Sequence, residues 1–318
     1  MPHPTGLLCD DTYLRHLPGR TGHPECPERL MAIRDKFHRA PWFRSLSPIV
    51  PRMATPQELS LAHDPDYLTL AGREAATVEG LKQLSTGDTI VSRDSLEVAH
   101  LAAGGVLAAA DAVVSGEVRN AFCAVRPPGH HATRDRAMGF CIFNNVAIAA
   151  RYLQRTFGIA KLLIVDWDYH HGNGTQDIFY DDATVFYFST HHYGAYPGTG
   201  APSERGTGAG LGTTLNVPLP VGCSDTQIYQ ALQSQLVPTA QEFHPEFILI
   251  SAGFDAMRGD LLGCFDVTPE GFAAITRLVK ELAGQMCGGR ILSVLEGGYR
   301  LDGLAECAAA HVEVLQAD

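Results

Sequence analysis

The sequence predicts one α/β domain built on a mostly parallel sheet covered by helices on both faces. Three observations carry that prediction. Short, wholly apolar runs of strand length alternate with longer alanine-rich segments of helix length. No repeat, low-complexity tract or shift in composition divides the 318 residues, which are enough for one large core. Acidic, imidazole and phenol side chains cluster directly after the apolar runs, where the strands of an open parallel sheet would end.

The apolar runs fall at 121–125, 162–165, 184–188, 247–250 and 291–295. Continuous apolarity, in place of in-and-out alternation, indicates strands buried on both faces. Helix-like segments lie at 95–115, 145–155, 225–243 and 268–283. The last opens on Thr268-Pro269-Glu270, which supplies a capping hydroxyl and a proline at the first helical position. A glycine-rich tract at 198–220 has spacings that could cradle a phosphate. No helix follows it, however, and it runs into Asn216-Val217-Pro218, which reads as extended; a tight surface loop near a ligand is expected instead.

Composition narrows the function. With 24 Lys and Arg against 35 Asp and Glu, the formal charge is −11. Direct nucleic acid binding is therefore not expected, and a basic substrate suits the surface better. Eight cysteines, none in a C-x-x-C pair, read as reduced core thiols. No basic segment followed by an apolar stretch opens the sequence, and no apolar run is read as long enough to span a bilayer. The expectation is a cytoplasmic protein without membrane contact.

Four of the apolar runs lead straight into reactive residues. "AFCAV" leads into "RPPGHHA" (126–132), "LLIV" into "DWDYHHGNG" (166–174), "FILI" into "SAGFDA" (251–256) and "ILSVL" into "EGGY" (296–299). In an extended backbone Asp166, Asp168 and His170 would share one side. Taken alone, D-x-H reads as a hydrogen-bonded polar turn; Asp255, arriving on another strand end, tips the reading towards a metal. Asp168, His170 and Asp255 would then be three ligands with a position left open, the pattern of catalytic zinc. A cation would also explain how carboxylates tolerate burial at a strand end. His130 and His131, presented by a rigid Pro-Pro-Gly turn, would supply the base and the acid that metal-activated water requires, with Asp166 and Asn173 available to orient them. A second metal at these two histidines is the weaker alternative. Tyr299, after two glycines, could aim its hydroxyl at a developing oxyanion, although "EGGY" alone reads more simply as a core tyrosine.

"RPPGHHA", "GFCIFNN", "VDWDYHHGNGTQ", "SAGFDA" and "LEGGY" occur in this order, preceded by "GHPECPERL". On these motifs the chain resembles the histone deacetylase family from about residue 5 onwards, in its class II and bacterial deacetylase-like branch. The resemblance implies an arginase–deacetylase fold, with a mostly parallel eight-stranded sheet between helices, forming a single catalytic domain over 1–318. It implies zinc-dependent hydrolysis of an acetyl amide, with Asp168, His170 and Asp255 holding one zinc ion. It implies His130 paired with Asp166, His131 paired with Asn173 as general base and acid, and Tyr299 polarising the carbonyl. Gly139, Phe140 and Tyr196 would wall a narrow channel for the lysine stem, with Leu262 at its lip and Asp88 at its rim. Asp166, Asp168, His170, Ser189 and Thr190 would hold a structural potassium ion, mostly through backbone oxygens.

Three positions depart from the best-known family pattern. Asn173 stands where class I members carry aspartate, so the His131 pKa should be lower than beside a charged partner. Tyr196 stands where phenylalanine is commoner and adds a hydroxyl at the mouth. Leu262 stands where the polyamine-specific relative carries glutamate. The expected substrate is an acylated lysine peptide, with a small acetylated amine as the alternative.

Overall fold

The computed structural model describes residues 4–19 and 22–317. Its centre is an eight-stranded sheet in the order β2-β1-β5-β10-β9-β6-β7-β8. The strands are β1 (Thr5–Leu8), β2 (Ser47–Pro48), β5 (Asn120–Cys123), β6 (Leu162–Asp166), β7 (Val185–His191), β8 (Thr214–Pro218), β9 (Phe247–Ala252) and β10 (Ile291–Leu295). Every pair in this sheet is parallel, so "mostly parallel" becomes wholly parallel. A separate antiparallel hairpin joins β3 (Leu81–Gln83) and β4 (Ile90–Ser92). Strands β5, β6, β7, β9 and β10 are buried at every residue, as continuous apolar runs require.

Two groups of helices enclose the sheet. One consists of α1 (Glu28–Arg39), α7 (Asp225–Ala231), α9 (Pro269–Met286) and α10 (Leu301–Gln316), which pack on one another. The other includes α3 (Pro65–Ala76), α4 (Ser95–Val114), α5 (Asn145–Phe157) and α6 (Asn173–Phe179), with the short α2 (Pro56–Leu59) against α5. The Thr268 cap acts where the sequence places it, and Asn144 adds a second that was not foreseen. The Thr268 hydroxyl accepts from Gly271 N at 3.2 Å, and Asn144 Oδ1 accepts from Ala147 N at 3.0 Å. The expected helix at 225–243 has the right extent but contains a π turn at Leu232–Leu236 between α7 and α8 (Val237–Phe243). Pro238 cannot donate to the carbonyl four residues back, and the widened turn accommodates it.

One expectation fails in α4. Its 20 residues are long and apolar enough to cross a bilayer by length and composition. Within the fold, 67% of its apolar window is buried, so the helix lies in the core against α3, α5 and β5. All eight cysteines are free thiols.

The order of strands matters for the site. The four runs that lead into reactive residues are β5, β6, β9 and β10, and they occupy adjacent places in the sheet. Their C-terminal ends therefore form one continuous edge, the position where open α/β sheets bind ligands.

Candidate active site

The peptide after β6 does not remain extended, which corrects the same-side argument for Asp166, Asp168 and His170. It folds through two successive aspartate turns. Asp166 Oδ1 accepts from Asp168 N at 3.1 Å, and Asp168 Oδ1 accepts from His170 N at 2.8 Å. The turns separate the two aspartates. Asp166 Oδ2 faces His130 Nδ1 at 3.1 Å and accepts from the Tyr187 hydroxyl at 3.0 Å. Asp168 instead joins His170 and Asp255, whose ligating atoms all lie within 4.8 Å of one another. His170 Nδ1 is 3.2 Å from Asp168 Oδ1 and 2.9 Å from Asp255 Oδ2, so both carboxylates crowd one ring nitrogen.

These three side chains are buried, and their chemistry fits a divalent cation. Burial pushes the Asp255 carboxyl up to about 7, and the adjacent Asp168 charge adds to that. Asp168, although equally buried, is held well below the carboxylate range, chiefly by His130 and His170. The two carboxylates shift in opposite directions because they compete for one small space. A cation between them relieves that competition.

The histidine pair divides in the same way. The rings of His130 and His131 are 4.0 Å apart. Burial lowers the His130 pKa, but Asp168 and Asp166 outweigh it and push it up to about 10. Burial lowers His131 far below 6.5, and the positive charge of His130 and His170 lowers it further. His131 Nδ1 is 2.8 Å from Asn173 Oδ1, so the expected partner is in place on the first residue of α6. Two neighbouring groups pushed apart in this way are the mark of divided acid–base roles.

Tyr299 is in the site, and the simpler reading of a core tyrosine does not hold. Gly298 takes φ 118°, a turn closed to other residues, and this swings the Tyr299 ring towards Phe140 at 5.9 Å. Tyr299 N donates to Asp260 Oδ2 at 2.7 Å. Burial raises the phenol pKa well above 10, so it stays protonated. Arg29 was not assigned from sequence, although it stands in "GHPECPERL". Its guanidinium lies 5.0 Å from the centre of the Tyr299 ring, and Nε donates to Gly298 O at 2.7 Å. Buried Glu25 binds Arg126 through both carboxylate oxygens and lies 3.4 Å from Arg29, so an ionic cluster underlies the Tyr299 loop.

A cavity of about 450 Å³ ends on this constellation. His131, His170 and Tyr299 line its inner end. Gly139, Phe140, Tyr196, Leu262 and Asp88 all line it as well, and Tyr169 and Ala195, not foreseen from the sequence, complete the wall. Gly139 adopts φ 57°, and a Cβ there would stand 2.2 Å from His131 Cδ2. Ser189 and Thr190 lie elsewhere, on β7. The register pairs Asp166 with Ser189, which puts Thr190 alongside the aspartate turns. The Ser189 hydroxyl is 2.8 Å from His191 Nδ1, and the buried Thr190 hydroxyl has no hydrogen-bond partner among the described residues.

Comparison with known proteins shows the family and the fold. The histone deacetylase domain matches residues 23–315. The chain belongs to the histone deacetylase family. Histone deacetylase 15 of Arabidopsis thaliana is 45% identical over 299 residues, covering 92% of this chain and 52% of that protein. A polyamine deacetylase of Homo sapiens is 43% identical over 309 residues, covering 93% and 45%. A probable deacetylase of Archaeoglobus fulgidus is 39% identical over 301 residues, covering 94% and 82%. The chain thus spans about half the length of several family relatives. The crystal structure of the HDA15 HD domain superimposes with a TM-score of 0.92 at 40% identity, covering 99% of this chain and 88% of that one. The fold is the arginase–deacetylase fold of this family.

Proposed function

We propose that the chain is a zinc-dependent amidohydrolase that removes acetyl, and some longer acyl, groups from lysine side chains. One observation carries the reading: the buried Asp168, His170 and Asp255 group opens on the same channel end as His131 and Tyr299. Two carboxylates and an imidazole match the three-ligand pattern of catalytic zinc. Zinc bound there would polarise the acyl carbonyl and lower the pKa of attacking water.

The remaining roles belong to the chain. His131, neutral and oriented by Asn173, takes the proton of the attacking water and returns one to the departing amine. His130, between Asp166 and Asp168, favours its cationic form and adds positive charge beside the reacting carbonyl. Tyr299 keeps its proton and donates to the oxyanion. Phe140, Tyr196 and Leu262 shield the aliphatic stem from water, and Asp88 places a carboxylate on the channel lining. Asp166, Asp168, His170, Ser189 and Thr190 would hold a structural potassium ion, and the unpartnered Thr190 hydroxyl supports an oxygen-rich cation site there. The proposal places the enzyme in the cytoplasm, in keeping with eight free thiols, acting on its substrates without binding nucleic acid or membrane.

The test is turnover of a fluorogenic acetyl-lysine peptide by zinc-loaded protein, with metal counted by plasma emission. One zinc per chain and hydroxamate-sensitive turnover are expected. Absent turnover together with absent hydroxamate binding would sink the reading. A second reading, hydrolysis of a small acetylated amine, draws support from the 43% identity to a protein named as a polyamine deacetylase. Leu262 at the lip offers no ion pair to a second amine and weighs against it. Comparing kcat/KM for acetylputrescine and the peptide separates the two.

A further inference from the structure

The turn between β3 and β4 does more than close a hairpin. Its residues pin the segment 137–141 along its length. The Thr86 hydroxyl accepts from Ala137 N at 3.4 Å, Asp88 Oδ1 accepts from Gly139 N at 2.8 Å, and the Thr89 hydroxyl donates to Cys141 O at 3.0 Å. These bonds recur at every second residue of the pinned segment. Gly87 lies so close that a Cβ would stand 1.9 Å from the Ala137 carbonyl oxygen. The turn is anchored in its own right, because Ser85 N donates to Glu74 of α3 at 2.9 Å.

The pinned segment is one wall of the channel, and it is strained. Gly139 and Phe140 take φ values of 57° and 69°, and a phenylalanine enters the left-handed region only when its surroundings hold it there. The second oxygen of Asp88 reaches the other wall: Oδ2 accepts from the Tyr196 hydroxyl at 2.9 Å. One carboxylate therefore bonds both walls of the mouth, and the hydroxyl that distinguishes Tyr196 from a phenylalanine is the group that completes the link.

We propose that Asp88 and Tyr196 form a rim clamp: Asp88 is a positioning residue that fixes the width of the channel mouth by bonding the Gly139–Phe140 wall to the Tyr196 wall. The kinetic test rests on the proposed acyl-amide hydrolysis; the structural test does not. The clamp differs in its consequences from a role in which Asp88 only accepts an N–H from a bound peptide. A peptide acceptor matters to peptides alone. A clamp matters to every molecule that enters the channel, and it makes the effects of the two residues interdependent.

The experiment compares zinc-loaded wild type, Tyr196→Phe, Asp88→Ala and the double variant on an acetyl-lysine peptide and on Nε-acetyl-lysine without flanking residues. Each single change should raise KM about tenfold on both substrates, the weight of one charge-assisted hydrogen bond, with a smaller effect on kcat. The double variant should be no worse than Asp88→Ala. Amide exchange followed by mass spectrometry should speed up in 137–141 in both single variants. Loss confined to the peptide, additive effects of the two changes, or unaltered exchange in 137–141 overturns the clamp. If wild type hydrolyses neither substrate, the hydrolase reading fails, and exchange in Tyr196→Phe, which deletes a single oxygen, still decides the clamp.

Discussion

Removing the Tyr299 hydroxyl separates chemistry from folding at one atom. Among the described residues, no hydrogen bond of the fold uses that hydroxyl, while the ring is held by Phe140 and Arg29 and the backbone by Asp260. Tyr299→Phe keeps all three of those contacts. The phenol is a buried donor that stays protonated across the working pH range, because burial and the Asp255 charge both raise its pKa. Losing one such preorganised donor to an oxyanion lowers kcat by about 10²–10³, or about 2.7–4 kcal/mol. KM should move little, since the hydroxyl binds charge that develops only in the transition state. The assay is steady-state turnover of the acetyl-lysine peptide beside a thermal melt of the same zinc-loaded preparations. The expected result is a collapse of kcat with the melting temperature within a degree or two of wild type. A kcat within about threefold of wild type would refute the oxyanion role. A large drop in melting temperature would show that the hydroxyl serves the fold after all.

Three further outcomes follow from the site and its surroundings. Asn173→Asp places a carboxylate at His131 Nδ1, which stabilises the imidazolium, raises its pKa and should move the acid limb of kcat/KM to higher pH; an unmoved limb argues against His131 as the base. Glu25→Gln removes the partner of two buried guanidiniums, Arg126 and Arg29, and should cost about 3–5 kcal/mol in urea unfolding; a loss below about 1 kcal/mol, typical of an exposed pair, would contradict the buried cluster. His311 is buried against the Thr276 and Ser293 hydroxyls, and burial lowers its pKa to about 3. The unfolded chain then binds the proton first, so stability is complete above about pH 6.5 and falls as pH drops towards 3, by about 2 kcal/mol at pH 5. Denaturant midpoints at pH 7 and pH 5 should differ less in His311→Gln than in wild type, and equal differences would contradict a neutral core histidine.

How much of this was legible in the sequence depends on the range of the forces involved. The central strands were legible because burial on both faces demands unbroken apolarity, as in the runs 162–165 and 247–250 that form most of β6 and β9. The edge strand β2 and its neighbour β1 were not, because two and four residues carry too little pattern. The candidate ligand and acid–base residues stood out in the sequence because they cluster in the segments that follow the central strands. The path of the chain through Asp166, Asp168 and His170 was misjudged: side chain to backbone bonds overrode the alternation of an extended strand. Arg29 escaped because its partners, Glu296 and Gly298, lie more than 260 residues away, and a carbonyl contact leaves no mark on the sequence. The two contacts of Asp88 escaped because their partners lie 51 and 108 residues away in the chain.

The buried acids explain why the four strand ends keep their places. Asp166 accepts from Asp168 N, Asp168 from His170 N and Gly297 N, Asp255 from Tyr169 N, and Glu296 from Gly129 N and His130 N. Of these six backbone bonds, the one from Gly297 ties the end of β6 to that of β10. The bond from Tyr169 ties β9 to β6, and the pair received by Glu296 ties β10 to β5. Each carboxylate satisfies backbone donors that the ends of a parallel sheet would otherwise leave unpaired. Asp255 illustrates the division of labour: Oδ1 holds the Tyr169 amide, while Oδ2 faces His170 and the shared point between the ligands. Burial without a cation is unfavourable for such a group, and its carboxyl is pushed up to about 7 as a result. The residues that would grip the ion are thus the same ones that fasten the loops together, so ligand geometry and loop geometry cannot drift apart independently.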